Sequence, residues 1–225
     1  MKRATKKHTE PPVALVTGFD PFDGETCNPS LEIARALDGE IIAGHQIVGA
    51  TLPTEFVSSL PALDALLRKH RPTLVIALGQ AGGRDGMSLE RVAVNLIDAR
   101  IPDNAGEQPI DVRIAEKSAT AYFSTLPVKA MLSALRAADI PASLSQTAGS
   151  FVCNQVFYGL MHRLARARRR VRGGFIHVPY LPEQAAKFPD APSLPLETMT
   201  SAVRLCLLAA LTTDEDLHYA AGSTC

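Results

Sequence analysis

Three side chains in this sequence combine a reactive type with a suggestive setting: Cys153, His177 and Glu90. Cys153 nearly closes the run Ser145-Gln-Thr-Ala-Gly-Ser-Phe-Val-Cys-Asn154, in which a strand pattern passes through a glycine turn into a helical pattern. The thiol is therefore expected in or near the first helical turn. Unpaired N–H groups and the helix dipole there favour a thiolate and lower the thiol pKa, the setting of a nucleophile. The competing reading is a buried structural thiol, because free cysteine is among the most buried residue types. His177 closes a short strand pattern just before Pro179-Tyr180. An imidazole there suits the base that deprotonates a thiol and then protonates a leaving amine. His8, His45, His70, His162 and His218 compete for that role. Glu90 lies between the turn Gly82–Gly86 and the apolar run Val92–Leu96. A buried carboxylate orients an imidazole and stabilises its cation. Asp98, Asp103 and Asp111 compete with it, and a solvated strand-end glutamate is the commoner outcome.

The elements that must position these groups follow from apolar patterning. Val13–Thr17, Leu74–Leu78 and Phe175–Val178 are short apolar runs that read as buried strands. Ile41–Leu52 contains a further strand, Val92–Leu96 alternates like a half-covered one, and Ala142–Gln146 is another candidate. Asn28-Pro29 starts a helix, with Asn as N-cap and Pro at the first helical position. Helical periodicity covers Glu55–His70 with a break or kink at Pro61, Val128–Ala138, Phe151–Arg170 and Leu196–Leu211. Arg100–Asp111 carries two prolines and a glycine and reads as loop. Strands alternating with helices imply a single-domain α/β/α sandwich around a mainly parallel, twisted central sheet. Its boundaries are a flexible segment 1–12, the domain 13–213 and a C-terminal tail 214–225. Sites in such sheets lie at the carboxyl ends of strands, so the loops of interest begin at Gly18, Gly79, Thr147 and Pro179.

Composition narrows the function. With 23 basic and 23 acidic residues among 225, the chain has no net charge to draw it to nucleic acid or an anionic membrane. At 46% hydrophobic residues it has enough apolar chain to bury a core, which excludes bulk disorder. The longest strongly apolar run, Leu205–Leu211, is far shorter than the roughly 20 residues a membrane span needs. Four cysteines without C-x-x-C spacing read as reduced thiols and a cytoplasmic protein. Cys and His are scattered without zinc spacing, so no metal is expected. Gly79–Gly86 lacks both phosphate-loop spacings and reads as a loop needing positive φ or close backbone approach. Five arginines in Arg166–Arg172 suit a helix C-terminus.

Taken together, four blocks resemble the pyroglutamyl peptidase I (pyrrolidone-carboxylate peptidase) family of cysteine peptidases. They are Thr17-Gly-Phe-Asp-Pro-Phe22 with Asn28-Pro29; Gly79-Gln-Ala-Gly-Gly-Arg84 with Glu90-Arg-Val-Ala-Val-Asn95; Ala99-Arg-Ile-Pro-Asp-Asn104; and Thr147–Asn154 with Gly174–Gln184. The resemblance implies removal of an N-terminal pyroglutamyl residue from peptides, with Cys153 as nucleophile, His177 as base and Glu90 as its carboxylate partner. It places Arg100 near the oxyanion region. It puts Phe19, Phe22 and Phe151 around the lactam ring, with Asn28 and the Gln80 backbone hydrogen-bonding the lactam amide. Thr54, Ile101 and Val152 complete the pocket walls. It implies no cofactor and assembly as a homo-oligomer, commonly a tetramer. Asp23 departs from the glycine usual after the second Phe. Two alternatives stay open: a thiol amidase with another acyl specificity, and a silent pyroglutamyl-binding module.

Overall fold

A computed structural model describes residues 11–222. Most of the expected flexible segment and Cys225 lie outside the described residues. In chain order the elements are β1 (Val13–Phe19), α1 (Pro29–Leu37), β2 (Ile41–Ile42), β3 (His45–Leu52), α2 (Ser59–His70), β4 (Leu74–Gln80), β5 (Met87–Glu90), β6 (Val92–Val94), β7 (Ala121–Phe123), α3 (Val128–Ala137), β8 (Ala142–Ser145), α4 (Val152–Arg166), β9 (Arg172–Val178), α5 (Pro182–Ala185) and α6 (Leu196–Thr212). Seven strands form the central sheet in the order β2-β3-β1-β4-β9-β5-β8, and β6 pairs with β7 in a separate ribbon. β1 runs parallel to β3 and β4, β4 to β9, and β5 to β8; the antiparallel pairs are β2–β3 and β5–β9.

Side chains alternate across this sheet, and the alternation builds two cores. Ala14, Val16, Ile76, Leu78, Leu89, Ile176 and Val178 pack with α1, α3 and α6 on one face. Leu15, Phe19, Val75, Ala77 and Phe175 pack with α2 and α4 on the other. By the same parity Gly79, Ser88, Glu90 and His177 belong to the α4 face.

Several elements depart from the sequence reading. Ile41–Leu52 is a hairpin, because Ala43 and Gly44 both take positive φ (46° and 75°). Pro61 does not break α2. It is the third residue of the helix, where no intrahelical bond would use its missing N–H. Gly79 does not end its strand; β4 runs on through Gln80, paired with Val178. The run after Glu90 forms only the short β6 of the outer ribbon, while Met87–Glu90 is a fully buried central strand.

Candidate active site

The sheet register brings Glu90 and His177 together. Ser88 stands directly opposite His177, and Glu90 opposite Phe175. Glu90 and His177 are therefore diagonal neighbours on one face, a separation that long side chains bridge. His177 Nδ1 and Glu90 Oε1 meet at 2.8 Å, with both residues buried. An ionised carboxylate only accepts, so Nδ1 carries the proton and Nε2 is left as an acceptor. Among the described residues the other histidines lie elsewhere: His45 meets the Ala43 carbonyl, half-buried His70 closes α2, His162 meets Tyr122 Oη at 2.9 Å, and His218 is exposed, while His8 lies outside the described residues. The competing acids also separate. Asp98 and Asp111 are exposed, and buried Asp103 accepts from the Phe56, Ala105 and Glu107 N–H groups.

Cys153 is the second residue of α4, reached through Gly149 at φ 78°. A Cβ on Gly79 would lie 2.8 Å from Cys153 Sγ, so the sulfur rests against the β4 residue that pairs with His177. The neighbouring side chains anchor this helix start. Asn154, fully buried, accepts from Val94 N–H and donates to the Val94 and Leu96 carbonyls. Gln155 donates to the Phe56 carbonyl and accepts from Ser59 Oγ. The expected lowering of the thiol pKa is overturned. Burial, and then the Glu90 charge, push Cys153 up to about 12, although its own backbone N–H pulls the other way. The helix-start effect is real in sign but smaller than desolvation.

The expected pocket residues fall into two groups. Phe22 and Phe151 have ring centroids 6.3 Å apart, and Phe151 meets Phe56 edge-on at 5.2 Å. Phe19 is buried and packs against Phe175, whose ring lies 4.9 Å from that of His177. Val152 is buried and Ile101 half-buried. The polar group forms a hydrogen-bonded collar around Asp20. Thr54 donates from N and Oγ1 to Asp20 Oδ1 at 2.7 and 2.6 Å, and Asn104 Nδ2 reaches Asp20 Oδ1 at 3.3 Å. Asn28 caps α1: its Oδ1 accepts from Ser30 N and Oγ, and its Nδ2 donates to the Asp20 carbonyl. Its carboxamide is thus committed to the loop itself. Gln80 Oε1 accepts from Gln184 Nε2, which also reaches the Cys27 carbonyl. Arg100 is exposed and makes no hydrogen bond or ion pair with Glu90, Cys153 or His177. Asp23 takes φ 54°, which explains why glycine suits that turn.

Sequence reasoning assigns no role to Asp20, Phe56, Arg84, Asn154 or Gln184. Each has at least one partner far along the chain, and only the motif blocks containing Asp20, Arg84, Asn154 and Gln184 mark them. Gly79 and Gln80 belong to β4, but the rest of the expected loop, 81–86, behaves as expected, since Gly83 has φ 83° and a Cβ on Gly82 would strike the Tyr180 ring at 2.2 Å. An open cavity of about 450 Å³ lies elsewhere, floored by Leu67, Leu164 and Val171 at the opposite end of β9 from His177.

A thiol, an imidazole and a carboxylate gathered on one face of a mostly parallel sheet form the constellation of a cysteine hydrolase on an α/β fold. The family model for pyroglutamyl peptidase matches residues 13–213. The chain is 57% identical over 212 residues to the pyrrolidone-carboxylate peptidase of Cupriavidus taiwanensis, covering 94% of this chain and 98% of that one. The crystal structure of pyroglutamyl peptidase I from Bacillus amyloliquefaciens superposes with a TM-score of 0.90 at 44% identity, covering 94% of this chain and all of that chain. The pyrrolidone carboxyl peptidase of Thermococcus litoralis gives 0.89 at 37% identity over 93% of this chain and 99% of that one. This chain belongs to the pyroglutamyl peptidase family of cysteine peptidases.

Proposed function

We propose that the protein hydrolyses the bond after an N-terminal pyroglutamyl residue, with Cys153 as nucleophile, His177 as general base and acid, and Glu90 as the orienting carboxylate. The observation that carries the residue assignment is the buried 2.8 Å Glu90–His177 contact beside the thiol that rests on Gly79. His177 Nε2 takes the Cys153 proton as sulfur attacks the carbonyl carbon. The tetrahedral intermediate collapses as the imidazolium gives that proton to the departing amine. Water, deprotonated by the same nitrogen, then cleaves the thioester and releases pyroglutamate. A thiol raised by burial makes proton transfer to His177 part of the attack.

Recognition follows from the absence of charge in the lactam. Phe22, Phe151 and Val152, with Phe19 and Ile101, offer apolar walls that would leave the charges of free glutamate unpaired. Asp20 holds Thr54 and Asn28 in place, so we assign those two to shaping the collar, and the Gln80 backbone to the lactam amide. Arg100 is assigned to the oxyanion and would have to swing inward to reach it. Phe123 and Val57, 70% and 74% exposed, fit a homo-oligomer, the tetramer named above, which sedimentation would test. A thiol nucleophile works in a reducing compartment, in keeping with the cytoplasm. No helix among the described residues is long and apolar enough to cross a membrane.

The test is amine release from a fluorogenic pyroglutamyl amide under reductant, beside prolyl and glutamyl amides and the Cys153→Ala variant. Turnover of the pyroglutamyl substrate alone, lost in the variant, is expected. A folded, reduced protein that leaves it intact would overturn the reading.

A further inference from the structure

Arg84 lies against the Glu90–His177 pair and has no part in the mechanism above. It occupies the loop between β4 and β5, and its guanidinium reaches the sheet face that carries His177. Nη1 donates to Ser145 Oγ at 3.2 Å and reaches Ser88 Oγ at 3.4 Å. Nη2 donates to the Thr147 carbonyl at 3.2 Å and lies 3.5 Å from Glu90 Oε1, the oxygen that receives His177. Among the described residues no other Lys or Arg comes within 4.0 Å of Glu90, and Oε2 has no hydrogen-bond partner.

A fully buried carboxylate is costly to keep ionised without a paired charge. His177 supplies one only after it has taken the thiol proton. Before that step Arg84 is the single full positive charge within reach. The ionised state decides the direction of catalysis. A protonated Glu90 would donate to Nδ1 and move the ring proton to Nε2, leaving no acceptor for the thiol. We infer that Arg84 is a positioning residue: its guanidinium holds Glu90 ionised and thereby selects the His177 tautomer that can deprotonate Cys153. This inference rests on the peptidase reading above.

Among the described residues, the titratable and charged groups facing Glu90 are His177 from β9, Cys153 from α4 and Arg84 from the loop. Without Arg84 this set loses one positive charge. It takes up or retains a proton more readily, so activity disappears at a higher pH on the acid side. The Arg84 side chain is 33% exposed, so solvent screening keeps the effect of its charge modest.

The test is kcat and KM for a pyroglutamyl amide against pH, with melting temperatures, for the wild type, Arg84→Met and Arg84→Lys. Arg84→Met should move the acid limb up by about one pH unit and lower kcat about tenfold below neutrality, with KM nearly unchanged. Arg84→Lys keeps the charge without the fork and should keep the wild-type limb. In Arg84→Ala, added ethylguanidinium at matched ionic strength should bring the limb back down, which serves if the methionine variant folds poorly. Activity lowered by one factor at every pH, with an unmoved limb, would make Arg84 merely a brace of the loop. A limb that shifts as far in Arg84→Lys as in Arg84→Met would equally overturn the charge role. An inactive wild type would instead remove the peptidase reading itself.

Discussion

Replacing Gly79 by alanine places a methyl carbon 2.8 Å from Cys153 Sγ and 2.8 Å from Phe175 Cζ. Comfortable contacts between such atoms begin near 3.5 Å, so the methyl overlaps each neighbour by at least about 0.7 Å. Three things could yield, and the structure ranks them. The β4 backbone is held along its whole length by β9, from Leu74–Arg172 to Gln80–Val178. The Phe175 ring is boxed by Phe19, Phe157 and His177, with centroids 6.5, 5.8 and 4.9 Å away. Cys153 is half-buried and its side chain is short, so the sulfur gives way, by turning about its own Cα–Cβ bond. Overpacking of this kind costs about 1–3 kcal/mol. For a chain of this size that is a fall in melting temperature of about 2–12 °C. A reacting atom misplaced by roughly 1 Å costs about a hundredfold in rate. Gly79→Ala should therefore lose about a hundredfold in kcat on a pyroglutamyl amide, with KM changed less than threefold because the Phe22–Phe151 walls are untouched. Gly83→Ala is the matched control: its φ of 83° strains an alanine, but its Cβ would meet open space, so stability falls while kcat holds. A Gly79→Ala enzyme within threefold of wild-type kcat, at an unchanged melting temperature, would refute the placement of the sulfur.

Glu90→Gln preserves shape but lets an amide donate to His177 Nδ1 and reverse the ring tautomer. kcat should fall about 10³–10⁴-fold with the fold intact, and a loss below tenfold would count against the orienting role. Asn154→Ala removes three hydrogen bonds that the fully buried Asn154 side chain makes from α4 to β6 and its following loop. Urea titration should show a loss of about 2–4 kcal/mol. The thiols set an alkaline limit to stability. Burial, with Glu90 in second place for Cys153, raises Cys153 from 9.0 to about 12, and burial raises Cys206 strongly in the same direction. Below pH 9 both states hold these protons and nothing is lost. Above it the unfolded chain releases them first, and stability falls by up to about 1.4 kcal/mol per pH unit for each thiol, until the folded thiol itself titrates. Urea midpoints at pH 8, 9 and 10 should decline in the wild type and decline less in a Cys153→Ala, Cys206→Ala double variant.

Much of this is legible in the sequence because it is local. Asn28-Pro29 caps α1 as its residue types require, since Asn supplies the acceptor and Pro needs no N–H there. Gly149 before Cys153 marks a turn into a helix, and α4 begins one residue before the thiol. The runs that form β1, β4 and β9 are mostly apolar because both sheet faces are covered, with Thr17, Gln80 and His177 as the buried polar exceptions. The hairpin at Ala43-Gly44 escapes a local reading because its first strand, Ile41–Ile42, is only two residues long. Pro61 suggests a break that does not occur, because the cost of a proline depends on its position in the helix, and α2 begins four residues later than the periodicity implies.

The functional site shows most clearly where local reading stops. Met87-Ser-Leu-Glu90 has too few residues to declare a period. The segment is a strand because β8 and β9 hold it from both sides. Once it is a central strand, alternation alone sends Met87 and Leu89 into the core beneath α3 and α6, and turns Ser88 and Glu90 toward α4. The register with β9 then makes Glu90, rather than Asp98, Asp103 or Asp111, the acid that can reach His177. Burial of that acid in turn creates the need for a cation, which Arg84 meets from a loop whose partners Ser145 and Thr147 lie about sixty residues further along the chain. The identity of the carboxylate and the task of the arginine are thus consequences of one non-local pairing, which no window of sequence around either residue contains.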